Sequence, residues 1–94
     1  MKQVQETNST HTQGEWESEQ ILGATDIVSG SIRIALINHN STPTLEEAKA
    51  NAKLIAAAPD LLEALIKISI SLEQLPCKQS DYNMVLNAIN KATN

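Results

Sequence analysis

Hydrophobic and polar positions along the chain follow two periods, first a period of two and then a helical one. Over Glu15-Trp16-Glu17-Ser18-Glu19, charged residues alternate with Trp16 and Ser18, so one face of a strand there is wet. Ile21 to Val28 reads as a second strand, weakened by Gly23 and Asp26. Ser29-Gly30 is a turn signal, because glycine reaches positive φ without a Cβ clash. Ser31 to Asn38 is the strongest strand, with Ile32, Ile34 and Leu36 on one face and Arg33, Ala35 and Ile37 on the other. Three strands with such short connections predict an antiparallel meander over about 15–38. A sheet that small needs a helix on its apolar face to be stable.

The polar run Asn38 to Pro43 is a loop, after which the period lengthens. Thr44-Leu45-Glu46-Glu47 fits a capping box, in which the threonine hydroxyl accepts from the third helical amide and Glu47 reaches back. Both glutamates also suit the positive end of the helix dipole. The helix predicted over about 44–58 places Ala48, Ala52 and Ile55 on one face, with Leu45 and Ala56 beside them. Lys49, Lys53 and Glu46 lie on the wet side. Asn51 falls on the apolar side, where an unsatisfied amide costs about 1–3 kcal/mol, so a hydrogen-bond partner is expected for it. Pro59 cannot donate a hydrogen bond and its ring disfavours helical geometry at Ala58, so a break is expected there, or else a sharp kink in one bent helix. Proline does suit the first turn of a new helix, with Asp60 next to it at the positive dipole end.

That second helix runs over about 59–75 and stops before Pro76. Leu61, Leu65, Ile68, Leu72 and Leu75 form a heptad-like stripe, and Leu62, Ile66 and Ile70 a second strip beside it. Its apolar arc is about twice the ~100° that packing on a single surface requires. Two surfaces must therefore cover it. A last helix over about 81–92, with Ser80 as a candidate cap, offers Tyr82, Val85, Leu86 and Ile89 as one cover. What it leaves uncovered is the candidate interface, drawn from Leu62, Ile66, Ile70 and Leu72 together with Tyr82 and Leu86. The fold class is thus α+β: a small antiparallel three-stranded sheet followed by two to three helices, broken at Pro59. Residues 1–13 are polar and read as a flexible arm, and 14–94 as a single domain.

Composition sharpens this reading. Trp16 and Tyr82 are the only aromatic residues of 94, so the core must come from Ile, Leu, Val and Ala, which bury less area each. Such a thin margin favours self-association. Trp16 is expected as a plug of the core. The net charge of −4, with the basic residues dispersed, argues against an anionic duplex or membrane surface as partner. One cysteine, Cys77, allows no intrachain disulfide, and the polar N-terminus contains no signal or spanning segment, so the cytoplasm is the expected location. His11 and His39 stand apart, without the local pairs a zinc site needs. Pairing of Cys77 with His39 for catalysis rests on nothing local, and no phosphate-binding glycine loop is present. Neither a metal nor a cofactor is expected. The helix pair around Pro59 lacks the basic and amide side chains of a DNA-reading helix.

Ala50 to Leu65 reads ANAKLIAAAPDLLEAL, and His11 to Trp16 reads HTQGEW. Together, in this order, the two phrases resemble a group of small phage and prophage proteins of unknown function, whose recurring forms are HTPGPW and ANAxLIAAAP-acidic-LLxAL. Gln13 and Glu15 stand here where that group has proline. Ile34-Ala35 and the ending Ile89 to Thr93 fit as well, so the resemblance spans about 11–93. It implies a phage or prophage context and carries over no catalytic or binding residue. The function expected on these grounds is that of a non-catalytic accessory protein acting through protein–protein contact, with a homodimer favoured and a host or phage protein as a further partner. The alternative is a small ligand-binding or enzymatic domain using the sheet face and the 38–43 loop, near His39, Asn40 and Trp16.

Overall fold

The alternation over 17–38 folds into three strands: β1 (Glu17–Ile21), β2 (Ala24–Ser29) and β3 (Ile32–Asn38). The computed structural model describes residues 10–76 and 78–93. The strands lie in the order β1-β2-β3, each pair antiparallel. Ile21 pairs with Ala24, so Leu22 and Gly23 form the first hairpin tip rather than part of a strand. Ser29 pairs with Ile32 across Gly30, whose φ of 61° is the positive value that the first central place of a tight hairpin demands.

Three helices follow: α1 (Leu45–Ala56), α2 (Ala58–Gln74) and α3 (Gln79–Thr93). The fold is α+β, as the sequence pattern predicts. Thr44 caps α1, its hydroxyl accepting from the Glu47 amide at 3.1 Å with Glu46 and Glu47 in the first turn. Ala57 separates α1 from α2, so the chain breaks there. Pro59 occupies the first turn of α2, where its missing N–H is not needed. Pro76 lies just past the end of α2. α3 begins two residues before the predicted start. The Lys78 carbonyl accepts from the amides of Asp81 and Tyr82 at 3.1 and 3.2 Å, which places Ser80 inside the helix instead of at its cap.

The backbone gathers into two compact units, one spanning Thr12–Pro59 and the other containing Asp60–Asn94. In the first, α1 lies chiefly over β2. Ile27 and Thr25 are buried on β2, and Ala48 and Ala52 on α1. The methyl side chains of the two alanines let the helix backbone approach the strand closely, as their spacing predicts. Asn51, by contrast, is exposed, so its amide carries no burial cost. The expectation of a protein partner for it fails because the buried stripe of α1 is only as wide as Ala48 and Ala52.

A register shift falls between Ile27 and Val28. Ile27 pairs with Ala35, yet Val28 pairs with Arg33, so Ile34 is an extra residue on β3. Such a bulge reverses the alternation beyond it. Ile32, opposite Ser29, therefore lies on the side of Ala35 and Ile37, while Arg33 joins Leu36 and Asp26. This corrects the expectation that Ile32, Ile34 and Leu36 share one face. An independent observation agrees: Arg33 Nε and Nη2 donate to the two carboxylate oxygens of Asp26 at 2.7 and 3.1 Å.

Because Ile27 is the largest buried side chain of this unit, Ile27→Ala should cost about 2–5 kcal/mol. Thr44→Ala should cost about 1 kcal/mol through loss of the cap. Thermal unfolding followed by circular dichroism measures both, and equal effects would contradict the assignment of Ile27 to the core.

Candidate functional site

Two clusters hold the residues singled out from the sequence: the approach to β1 with the loop after β3, and the apolar arc of α2 with α3. At the first, Gly14 adopts a φ of 101°, a left-handed value that side chains rarely tolerate. A Cβ at that position would meet the Ser29 hydroxyl at 3.2 Å. The bend directs the preceding carbonyls back onto the unit. Ser29 Oγ donates to the Gln13 carbonyl at 3.3 Å, and Trp16 Nε1 donates to the Thr12 carbonyl at 3.1 Å. The phrase HTQGEW thus has a structural meaning: its glycine makes the turn and its tryptophan closes it. Trp16 itself is half-buried, so it braces the turn rather than plugging the core. Its neighbours on β1 are all exposed, and a strand without a buried face provides no deep seat for an indole.

His39 and Thr25 meet across the top of the sheet, with 2.9 Å between the imidazole Nε2 and Thr25 Oγ1. His39 N also donates to the Gly23 carbonyl at 3.0 Å, tying the loop to the first hairpin. The loop uses its polar groups on itself. Asn38 Oδ1 accepts from the Asn40 amide at 2.8 Å, and the Asn38 carbonyl accepts from Ser41 Oγ and Ser41 N at 2.6 and 3.0 Å. Thr42 Oγ1 donates to the Thr44 carbonyl at 2.8 Å. On the other sheet face, the Asp26 carboxylate holds the Arg33 proton more tightly, first through the hydrogen bonds and then through its charge. Among the described residues, no three His, Cys, Asp or Glu side chains come together as a metal site. Cys77 and residues 1–9 lie outside the described residues.

The helical cluster divides in a way the wheel alone does not show. Leu62, Ile66, Ile70 and Leu72 of α2 and Tyr82 and Leu86 of α3, the residues proposed as an interface, are all half-buried. Tyr82 Oη donates to Glu73 Oε2 at 3.0 Å, a polar link between the two helices. Ser69 is fully buried in the middle of the half-covered arc, its hydroxyl donating to the Ile66 carbonyl at 2.7 Å. Back-bonding of this kind lets a serine sit among aliphatics at little cost. Ile89 is the buried apolar residue of α3.

Exposure follows a different line. Leu61, Ile68 and Leu75 are 50%, 49% and 61% exposed, and Ala64 and Ser71 between them are exposed too. The heptad stripe read from the sequence is therefore split, with Leu65 and Leu72 turned toward the covered arc. Sequence reasoning passed over Ala64 and Ser71 because neither is strongly apolar. Their regular spacing between the large residues was the available signal.

Among the described residues, no helix is long and apolar enough to cross a membrane. Residues 1–94 match the protein family described as Salmonella phage P22 protein Y8K6. No curated protein and no solved structure matches the chain.

Replacing the turn glycine tests the first cluster. Gly14→Ala combines a strained φ with a close approach to Ser29 and should lower stability by about 1 kcal/mol or more. Trp16 fluorescence should shift to the red as the indole loses its seat. A Gly14→Ala chain with native stability and emission would show that the turn does not constrain Trp16.

Proposed function

The chain belongs to the family of Salmonella phage P22 protein Y8K6, and from this phage origin we propose that it is a non-catalytic accessory protein. It works in the host cytoplasm through protein–protein contact and self-associates through its last two helices. The observation that carries this reading is the apolar surface of α2. Seven of its residues are leucine or isoleucine, and none of them is buried. Exposed aliphatic residues in a row on one helix mark contact surfaces more than catalytic ones. Their cost in water favours a partner that is made together with the chain, and a second copy meets that condition once its concentration exceeds the dissociation constant.

Electrostatics favours protein over nucleic acid as the contact. A net charge of −4 gives no gain from counterion release on a phosphate backbone. The loop after β3, whose hydroxyls and amides bond to its own backbone, offers little for recognition of a small molecule. Host or phage proteins can use the same helical surface or the exposed sheet face carrying Arg33 and Leu36.

Light scattering on the purified full chain measures the self-association directly. The expected mass is about twice 10.2 kDa at micromolar concentration. A monomer up to several hundred micromolar would overturn the self-association.

A further inference from the structure

We infer that α2 pairs antiparallel with α2 of a second copy, along the seam Leu61, Ala64, Ile68, Ser71 and Leu75. This inference rests on the self-association reading and specifies its surface and geometry. All five residues are exposed, and they recur at intervals of three and four, the spacing that keeps a helix seam facing a partner helix; Leu75 follows directly on the last residue of α2, its amide donating to the Leu72 carbonyl at 3.4 Å. The half-buried residues Leu62, Ile66 and Ile70 are excluded from the seam because the chain itself covers them in part.

The order of sizes identifies the occupant. Large residues (Leu61, Ile68, Leu75) take one of the two seam positions in each repeat, and small ones (Ala64, Ser71) take the other. In a parallel pair, like positions face each other, so large would meet large in one layer and small meet small in the next, giving clashes and voids. In an antiparallel pair, each position faces the other kind, and every layer sets a large side chain against a small one. Alternation of that sort fills space at the density of a protein interior. The surface is complementary to itself under a two-fold axis, which also closes the assembly at two chains.

Charge selects the register. Asp60, Lys67 and Gln74 run along the open flank of the seam. With Leu75 of one copy on Ala64 of the other, and Ser71 on Ile68, Lys67 comes beside Gln74 of the other copy. A shift of one repeat in one direction would bring Lys67 against Lys67, which is repulsive, and in the other would leave only Ser71 and Leu75 facing each other. Lys67 remains held by its own Glu63 at 3.3 Å in either case. Leu61 lies at the open end of the paired layers.

Sedimentation equilibrium on the full chain tests the seam with two substitutions that preserve helix propensity. Ala64→Leu puts bulk where the Leu75 side chain must fit, and Ile68→Glu puts charge at the centre. Each should weaken dimerisation at least tenfold with an unchanged circular dichroism spectrum, while Met84→Glu, at an exposed position of α3, should leave it within twofold. Wild-type dimers that Ala64→Leu and Ile68→Glu both leave intact would overturn this seam and leave self-association standing through another surface. A monomeric wild type would overturn both. Should Ile68→Glu unfold the chain, Ala64→Leu, which adds only apolar bulk at an exposed site, still decides the matter.

Discussion

Close approach of α1 to β2 is the constraint that the sheet-bearing unit depends on. With few large side chains committed to its core, the unit gains cohesion from proximity, and proximity requires the alanines at 48 and 52. Ile27 fills the space they leave. The bulge at Ile34 belongs to the same arrangement, since an extra residue on β3 increases local twist and turns Ile32 to the side of Ala35 and Ile37 while Arg33 reaches Asp26 on the other. The turn at Gly14 and the bond between Thr25 and His39 fasten the two ends of the strands to that frame.

The helices from Ala58 onward show the opposite economy. They contain ten leucine, isoleucine and valine residues and bury only Ile89 among them, with Ser69 rather than a leucine at the centre of the covered arc of α2. Aliphatic residues left half in water on a regular line are a cost that association offsets. In the proposed dimer a second copy covers that line, and the alternation of large and small residues along it gives the copy one orientation.

Much of this architecture was legible in the residues. Pro59 and Pro76 bound α2, Thr44 caps α1, and the alanine spacing names the face of α1 that packs. The phrases HTQGEW and ANAKLIAAAPDLLEAL pointed to a phage context, and the family to which the chain belongs is that of a phage protein. Three features were not legible, each for a physical reason. A bulge conserves composition while reversing alternation, so strict period two misassigned Ile32 and Leu36. Burial of an amide depends on how wide a neighbour is, and nothing local says that the covered stripe of α1 stops short of Asn51. Finally, a helix apolar over most of its circumference does not reveal which arc its own chain covers; the half-buried state of Leu62, Ile66 and Ile70 is a tertiary outcome, and the proposed contact accordingly uses Leu61, Ile68 and Leu75.

The orientation of α2 in the assembled protein tests the central claim most directly. Spin labels at Glu63→Cys or Gln74→Cys in a Cys77→Ser background replace none of the five seam residues, and pulsed dipolar spectroscopy reads distances between copies. Antiparallel pairing predicts that a label at 63 lies nearer to a label at 74 of the other copy than to one at 63, because an axial offset of about 20 Å separates the two 63 positions. Equal or reversed ordering of those distances, or no coupling between copies at all, would contradict the account.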